Sequence, residues 1–461
     1  MSSNIESAEP GSVASTESGS GAPTRTYEQR RRRAIASAWA GFGVDSFSIY
    51  VVSTALLPAM GYFQANLSPD QLSIFVGMTL AATLVGRPLG ALIFGHFADT
   101  IGRRRIGSIT IYGFGAISLL MACLPGAEAI GGTLATALLI GLRFVEGIFL
   151  GGEYTAATPL ALEYAPPGRR GFIAGCIQCS ASVGPFVVAI LVTIVLLFAP
   201  NAGLHSPYVQ WGWRIPFVIG AILAFIVAFY LRRQVEDSEI FKQTEPAKAP
   251  LAKMLKGKSG RAFIQAYLIM TGVFIASNMN ISVLPQLLLK NKGFTASDLA
   301  HTQLIVAAPS VAAYIVFAWL GDKIGRKRSL YIAGALTIFV APVTLTLVAK
   351  GAVHGWGTLT LLACITGFSI IGPFGVVPAY INERFTTAVR SSGWGVAYST
   401  AVVVPSFFAY YQIWLSHLVP AVYTAGILAA LGGVIILIAT RSGPETRGID
   451  LHALEKQAAA I

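Results

Sequence analysis

Hydrophobic runs recur along this whole chain, and each is long enough, at about 20 residues, to cross the roughly 30 Å hydrocarbon layer of a bilayer. Hydrophobic residues make up 54% of the chain and charged residues only 12%, with a mean hydropathy of +0.65. Soluble proteins carry about 25% charged residues. The sequence therefore predicts an all-α integral membrane protein.

The hydrophobic runs predict twelve transmembrane helices, and an even number places both termini on one side of the membrane. Their predicted bounds are 34–60, 72–98, 105–125, 131–162, 171–199, 211–232, 262–289, 300–321, 329–349, 355–382, 391–418 and 420–440.

Basic residues are distributed very unevenly between the two sides of this predicted topology. Of the 33 Lys and Arg residues, 27 fall in the tails and loops on the terminal side and three, Lys290, Lys292 and Lys350, in the opposite loops. The remaining three lie inside or at the ends of spans. The positive-inside rule then predicts cytoplasmic N- and C-termini in a plasma (inner) membrane. This bias accounts for the net charge of +12 without a nucleic-acid partner.

A short loop pattern occurs twice, at corresponding places in the chain. The first copy closes the stretch GRPLGALIFGHFADTIGRRR at 86–105, and a shorter copy, GDKIGRKR, occupies 321–328. Each joins the end of an apolar helix to an acidic residue and a basic turn, and 223 residues separate Asp99 from Asp322. Many secondary transporters are built from such repeats, so we expect two pseudo-symmetric six-helix halves.

Loop length and composition divide the chain into five parts. We expect a disordered cytoplasmic tail (1–33), a first half (34–232), a cytoplasmic linker (233–260), a second half (261–440) and a second cytoplasmic tail (441–461). We expect a monomer in the lipid bilayer.

Several motifs resemble those of a known superfamily. The stretch GHFADTIGRR at 95–104 resembles the signature loop of the major facilitator superfamily, although Ala318 replaces the leading glycine in the second copy. The fourth predicted helix, with RFVEG at 143–147 and GGEY at 151–154, is similar to a signature of sugar, phosphate and metabolite:proton porters. Together with WGWRIPF at 211–217, it looks most like the metabolite:proton symporter group.

The resemblance implies alternating access, with a cytoplasmic latch that joins the two halves in one state and releases them in the other. Glu383 and Arg390 repeat the spacing of Glu163 and Arg170, so these four residues would join the latch. A plain membrane-interface anchor is the alternative. The predicted gate comprises Gly95, Asp99, Gly102, Arg103, Arg104, Glu163, Arg170, Asp322, Arg326, Glu383 and Arg390.

Charged residues inside the predicted spans are the candidates for transport chemistry, because a charge at mid-bilayer costs roughly 2.5 to 3.5 kcal/mol. Arg87 lies about 18 Å along the helix from Asp99, and Asp45 about 17 Å from the start of its own helix. Arg143 is similarly deep from the other side. We expect proton coupling at Asp45, Glu146 and Glu153.

Substrate contacts are expected from residues at the same depth. In the first half these are Arg143 and Arg87, with Ser48 at a position where related porters often carry a second carboxylate. Arg143 and Glu146 could instead form only a structural pair, since they are i,i+3 neighbours. In the second half the candidates are polar or aromatic: Asn278, Asn280, Tyr380, Trp394 and Tyr398.

These residues predict a secondary active transporter that takes up a small organic acid, with a carboxylate as the expected substrate, together with a proton. An anion bound at Arg143 would remove the counter-charge of Asp45 and make its protonation easier. The sequence has no nucleotide or catalytic motif, so we expect no enzyme, cofactor or metal, and the proton gradient supplies the energy. The alternatives are a proton-coupled efflux antiporter, suggested by Gly184-Pro185 on the fifth helix, and a non-transporting membrane sensor.

Overall fold

The computed structural model describes residues 26–64, 69–243 and 249–451. Residues 1–25 of the tail predicted at 1–33, residues 244–248 of the linker and residues 452–461 of the second tail lie outside the described residues. The first half contains six long helices: α1 (Tyr27–Tyr62), α2 (Pro69–Ile101), α3 (Arg103–Ala122), α4 (Gly132–Glu163), α5 (Pro167–Phe198) and α6 (Tyr208–Gln234). The second half contains α7 (Gly257–Leu289), α8 (Ala296–Ile324), α9 (Arg326–Lys350), α10 (Trp356–Asn382), α11 (Arg390–Thr400 and Phe408–Ser416) and α12 (Ala421–Arg441).

Eleven helices within the described residues are long and apolar enough to cross a membrane. The predicted helix at 391–418 differs, because α11 is broken into two pieces by turns and a short 3₁₀ segment, Val404–Phe407. Pro405 lies in this break, and proline both lacks an N–H donor and clashes with the preceding helical turn. The count of twelve membrane-crossing helices therefore remains a prediction.

Helix α1 begins at Tyr27, inside the segment predicted as tail. Thr26 caps it, because the Thr26 hydroxyl accepts from the Gln29 amide and the Gln29 side chain accepts from the Thr26 amide. This reciprocal capping box satisfies donors that a helix start leaves free. Arg30 then forms ion pairs with Glu236 at 3.6 Å and Glu239 at 3.2 Å. The start of α1 is therefore held against the segment that follows α6.

Helices α2 and α4 approach each other unusually closely because glycines line their contact. A Cβ atom on Gly147 would lie 2.2 Å from the Thr83 carbonyl oxygen, and one on Gly151 would lie 2.1 Å from that of Arg87. Small residues allow helix backbones to meet in this way. The contact brings Arg87 of α2 beside the charged stretch of α4.

Among the described residues, the two halves meet mainly through helices α2, α4 and α5 of the first half. Helices α2 and α4 of the first half pack on α11, while α5 packs on α8 and α10 of the second half. We call the end of the bundle where α1 begins and α12 ends the terminal end. At this end Gly102 and Gly325, with φ of 119° and 109°, form the turns from α2 to α3 and from α8 to α9.

Candidate functional site

The first charged group in the middle of the bundle is an ion pair between α1 and α2. The Arg87 Nη2 atom donates to Asp45 Oδ1 at 2.9 Å, and the two side chains are 7% and 1% exposed. The close contact of α2 with α4 fixes the Arg87 backbone, and α1 presents Asp45 to it. The structure thus brings together two of the residues predicted for coupling and substrate binding.

The second charged group joins α4 to α1. Arg143 forms an ion pair with Glu146, and both are buried. The Ser48 hydroxyl donates to Glu146 Oε1 at 2.5 Å, while Arg143 donates to the Ser48 carbonyl oxygen at 3.4 Å. Arg143 therefore balances Glu146, and the expectation that Arg143 is the direct counter-charge of Asp45 is corrected: Arg87 has that role.

Glu153 is the third buried acid of this region, and it forms no ion pair with any described residue. Its Oε1 atom lies against α1, since a Cβ atom on Gly41 would be only 2.7 Å away. Its Oε2 atom is buried without a hydrogen-bond partner among the described residues, as are Asp45 Oδ2 and the Nε atoms of Arg87 and Arg143. Unpartnered polar atoms are rare in protein interiors and often mark functional sites.

Stacked aromatic rings connect these charges to the second half. The Arg87 guanidinium lies over the Tyr154 ring, 5.4 Å from its centroid. Tyr154 in turn stacks on Tyr398 of α11, with ring centroids 4.5 Å apart and an interplanar angle of 26°. Trp394 follows at 5.1 Å from Tyr398, and its Nε1 atom is buried without a partner among the described residues. We call Tyr154, Tyr398 and Trp394 the aromatic bridge.

Two aromatic residues at this place, one in the bridge and one beside it, were not predicted from the sequence. Phe274 of α7 lies 5.3 Å from Tyr398, edge to face, and Tyr154 forms the first-half side of the bridge. Tyr154 belongs to the GGEY stretch that served only to indicate a family. Phe274 had no distinguishing signal, because one phenylalanine in an apolar span looks like any other.

The remaining predicted second-half contacts are spread along the bundle. Asn278 donates to the Pro405 carbonyl oxygen at 3.0 Å and so stabilises the break in α11. Asn280 keeps a buried, unpartnered Oδ1 atom among the described residues. Tyr380 lies apart from the aromatic bridge, at the terminal end, where it accepts from Gln265 at 2.8 Å and donates to the Pro444 carbonyl oxygen at 3.0 Å. Its contacts are structural.

A second charged layer closes the terminal end, and its first part centres on Asp99. The two Asp99 carboxylate oxygens accept the backbone N–H groups of Ser391 and Ser392, at 3.0 and 2.8 Å. These amides open α11, where the first N–H groups of a helix lack partners within the helix. A carboxylate there also interacts favourably with the helix dipole. Asp99 thus caps a helix of the opposite half.

Asp322 makes the equivalent contact in the opposite direction. Its carboxylate accepts the backbone N–H groups of Gly171 and Phe172, at 3.0 and 2.7 Å, near the start of the regular helical turns of α5. Asp322 also pairs with Arg326 at 2.5 Å. Each half therefore contributes one carboxylate and one helix start, and we call the two contacts the paired latch.

Buried ion pairs reinforce both sides of the paired latch. Glu163 of α4 pairs with Arg390 of α11 and also with Arg103. The corresponding Glu383, directly after the end of α10, pairs with Arg170 of α5 at 3.3 Å and with Arg326 at 3.1 Å. Since Glu163–Arg390 and Glu383–Arg170 both cross between the halves, these glutamates and arginines cross-link the two halves.

Arg103 adds further bonds across the halves, whereas Arg104 does not. Arg103 donates to the Ser391 hydroxyl at 2.9 Å and to the Thr387 carbonyl oxygen at 3.0 Å. The Arg104 side chain instead turns toward the Val235 carbonyl oxygen, 3.5 Å away in its own half. Arg104, which was predicted as a gate residue, therefore lies outside the paired latch.

Residues after α6 and after α12 complete the latch, and they were not predicted from the sequence. Asp237 accepts the Arg104 backbone N–H at 2.9 Å, and Glu445 accepts that of Lys327 at 3.0 Å. The next residue in each case binds a latch glutamate: Ser238 donates to Glu163 Oε2 at 2.5 Å and Thr446 to Glu383 Oε2 at 2.7 Å. The signal available was an acid followed by a hydroxyl residue after the last helix of each half.

Tyr164 holds this segment against the first half. Its hydroxyl lies 3.2 Å from the carbonyl oxygens of Glu236 and Asp237. Burial, with the nearby Glu236 carboxylate, raises the pKa of Tyr164.

Small residues permit both latch contacts, but they sit on different helices in the two halves. A Cβ atom on Gly95 of α2 would lie 3.1 Å from the Ser392 Cα atom of α11. In the second copy the equivalent position is Ala318, and a Cβ atom on Gly175 of α5 would be only 2.3 Å from the Ala318 Cβ. The space that Gly95 provides in one contact is thus provided by Gly175 in the other.

Two repeated six-helix halves are joined by a buried charged layer at one end and by stacked aromatic rings in the middle, and the first half carries buried ion pairs beside those rings. This arrangement defines an α-helical membrane transporter. The protein belongs to the major facilitator superfamily, and the profile of the family described as sugar (and other) transporter matches residues 33–259 and again residues 232–458. Its homologues are transporters, so the chain is a transporter and not an enzyme.

Two curated relatives come from Escherichia coli strain K12. The chain is 30% identical to the shikimate transporter over 395 residues, which span 82% of this chain and 86% of that protein. It is 33% identical to the alpha-ketoglutarate permease over 387 residues, which span 82% and 85% of the two chains.

Solved structures show the same fold at lower sequence identity. The proton:xylose symporter XylE bound to 6-bromo-6-deoxy-D-glucose matches with a TM-score of 0.71 and 20% identity, covering 94% of this chain and all of that one (100%). The transporter FucP in the outward conformation matches with a TM-score of 0.67 and 15% identity, covering 89% and 98%.

Proposed function

We propose that this protein is a monomeric symporter of the inner membrane that takes up a small organic acid together with a proton by alternating access. The observation that carries the proposal is the Asp45–Arg87 pair at 2.9 Å, set directly beneath the aromatic bridge between the halves. A buried arginine whose partner is an acid on another helix can exchange that acid for a substrate carboxylate. The displaced acid can then take up a proton.

The chemistry of coupling follows from the cost of an unpaired buried charge. When a substrate carboxylate binds Arg87, Asp45 loses its counter-charge while its Oδ2 atom already lacks a partner among the described residues. An uncompensated charge in a low-dielectric interior is neutralised by proton binding. Anion and proton therefore load together, and each favours the state in which both are bound.

Arg143 and Glu146 act as the second station in this proposal. Their pair is held to α1 through Ser48, so a change at Asp45 on the same helix reaches them through the backbone. Glu153 lacks an ion pair among the described residues and faces α1 at Gly41. It is therefore placed to pass a proton between the middle of the bundle and the terminal end.

The proposal also assigns the two sides of the membrane. The terminal end carries most of the Lys and Arg residues of the loops, so it faces the cytoplasm by the positive-inside rule. Asp99 and Asp322 then close the cytoplasmic side, and breaking their contacts opens it. Alternating access requires such a two-state layer.

The names of the relatives favour a carboxylate substrate. Shikimate and alpha-ketoglutarate, after which two relatives at 30% and 33% identity are named, are both carboxylate anions at neutral pH. Two arginines at the centre of the first half suit such anions, and the aromatic bridge offers an apolar face for a carbon skeleton.

Uptake by proteoliposomes with an imposed pH gradient tests the proposal. Purified protein is reconstituted, the lumen is made alkaline, and entry of radiolabelled shikimate or alpha-ketoglutarate is followed with and without a protonophore. We expect accumulation that the protonophore abolishes. Asp45→Asn should lose accumulation, whereas Glu128→Gln, an exposed acid at the opposite end of the bundle that is 72% exposed, should retain it.

Two outcomes would contradict the proposal. Gradient-driven accumulation that survives Asp45→Asn would exclude Asp45 as a coupling residue. Gradient-driven expulsion of a dye, with no carboxylate uptake, would favour the efflux alternative. Close packing explains the glycine at residue 184, on which the efflux alternative is based, since a Cβ atom there would lie 2.4 Å from the Phe47 backbone nitrogen of α1.

A further inference from the structure

A basic cavity opens on the outside of the first half at the terminal end. It has a volume of about 420 Å³ and lies between α3 and α6, lined by Arg104, Tyr112, Phe229, Arg232 and Arg233. Neither the paired latch nor the aromatic bridge contributes to it. Three positive charges therefore meet in one cavity that the transport site does not use.

The three arginines of the cavity have no acidic side-chain partner among the described residues. Arg104 contacts the Val235 carbonyl oxygen at 3.5 Å, and Arg233 lies over the Phe229 ring at 5.5 Å. The Asp237 carboxylate accepts the Arg104 backbone N–H and forms no ion pair with the Arg104 side chain among the described residues. Nearby arginines of the latch are all in ion pairs, as with Arg103 and Glu163. The cavity thus retains most of its positive charge for a ligand.

An apolar stripe leads from the cavity along the outer face of α6. Phe229, Ile226 and Ile222 are 56%, 58% and 51% exposed and follow one another at spacings of three and four residues. Residues at this spacing share one face of a helix. Large apolar side chains on the outer face of a membrane helix contact lipid, so the stripe joins the basic cavity to the hydrocarbon layer.

We propose that this cavity binds the phosphate headgroup of an anionic phospholipid, whose acyl chains lie along the stripe of α6. Arginine is well suited to phosphate because its guanidinium donates several hydrogen bonds in a fixed plane. Basic pockets between transmembrane helices on the cytoplasmic side bind anionic headgroups in this way. A soluble phosphate would use the arginines but not the stripe, and the stripe therefore favours a lipid. The proposal depends on no assignment of substrate or coupling residue.

Native mass spectrometry of the purified full chain in detergent tests the proposal with phosphatidylglycerol as the probe and phosphatidylcholine as its uncharged counterpart. We expect phosphatidylglycerol to bind more tightly. The double variant Arg232→Gln/Arg233→Gln should weaken its binding about 30-fold, given the usual contribution of each basic residue at a membrane surface. Arg232→Lys/Arg233→Lys, which keeps the charges, should lose less and shows that the site still folds.

The matched control removes the same charge from the second half. Lys323→Gln/Arg328→Gln neutralises two exposed basic residues at the terminal end that line no part of the cavity, and it should leave phosphatidylglycerol binding unchanged. An equal loss in this control would overturn the proposal in favour of general charge attraction. Equal binding of the two lipids, or displacement of phosphatidylglycerol by equimolar glycerol phosphate, would also overturn it. None of these outcomes bears on carboxylate uptake, so the two proposals fail separately.

Discussion

The substitution Asp99→Asn should weaken one side of the paired latch while leaving side-chain size almost unchanged. The Asp99 carboxylate accepts two backbone N–H groups of α11, at 3.0 and 2.8 Å. An asparagine has one acceptor oxygen, and its amide group would face the second N–H as donor against donor. One charge-assisted bond is therefore lost and one buried donor is left unpaired.

The size of the effect follows from these two bonds. A hydrogen bond to a charged group contributes roughly 1.5 to 3 kcal/mol, and leaving a buried donor unsatisfied costs a similar amount. We take about 2 kcal/mol as the loss of closed-state stability, because the asparagine can rotate to ease the second contact. Since 1.4 kcal/mol corresponds to a factor of ten, the open state should gain about 30-fold in population.

Hydrogen–deuterium exchange measured by mass spectrometry reads this shift at the amides concerned. In Asp99→Asn we expect faster exchange in peptides that contain Ser391 and Ser392. The matched variant Asp322→Asn should accelerate exchange near Gly171, at the other contact of the latch. If the halves move as rigid bodies, each variant should also accelerate exchange at the partner contact.

Unchanged exchange at the start of α11 in Asp99→Asn would refute the reasoning. Asp298→Asn provides the control, because Asp298 also caps a helix, accepting from the Thr295 backbone N–H at 2.8 Å, but its helix start contacts no part of the latch. Faster exchange at Ser391 and Ser392 in Asp298→Asn would mean that the exchange rate reports a general loss of stability and not opening of the latch.

Three further predictions concern the middle of the bundle and the contact between halves. Arg143→Met should lower the thermal stability of the detergent-purified protein, since breaking a buried ion pair costs about 3 to 5 kcal/mol. Adding Glu146→Gln should restore part of that stability. If the double variant is no more stable than Arg143→Met, the two residues are not paired. Gly395→Val should impair transport and accelerate hydrogen–deuterium exchange at the latch amides, because a Cβ atom at residue 395 would lie 1.9 Å from a side chain of α4. Gly357→Val, which has open space around it, should do neither. Glu153→Gln should abolish gradient-driven accumulation in proteoliposomes yet retain substrate exchange, and loss of both would indicate a structural role.

Much of the helical architecture could be predicted from the sequence, because lipid leaves a buried segment few alternatives to a helix. The break in α11 was not predicted, since the apolar run at 391–418 continues through it. Pro405 was the available sign, yet α10 runs unbroken through both Pro373 and Pro378. Whether a proline breaks a helix depends on its surroundings, and in α11 the Pro405 carbonyl oxygen accepts a hydrogen bond from Asn278 of another helix.

The depth of the central charges was predictable, but their pairing was not. Helix rise places Asp45, Arg87 and Arg143 in the same layer. Which arginine meets Asp45 depends on how α1 and α2 are rotated and how closely the glycines of α4 let α2 approach. The sequence contains those glycines but does not show which helix they face. The pairing of Arg87 with Asp45 is therefore seen only in the structure.

The latch carboxylates and arginines were identified because they occur twice, whereas Asp237 and Glu445 were missed. Both lie far in sequence from the helix starts that they bind, and both were assigned to a linker or a tail. Their neighbours Ser238 and Thr446 share only a hydroxyl group, which is too short a pattern to recognise without knowing that the two segments are equivalent.

Gly95 and Gly175 lie on different helices of their contacts, and this has a consequence for how the two contacts can evolve. In a two-fold homodimer a single substitution appears at both copies of an interface. Here the two copies lie in one chain, so each contact can be altered by itself while the other holds the halves together. The residues at closest approach already differ between the two contacts: Gly95 of α2 meets Ser392 in one, whereas Gly175 of α5 meets Ala318 in the other. The two contacts can consequently differ in strength, and the halves need not separate evenly when the latch opens.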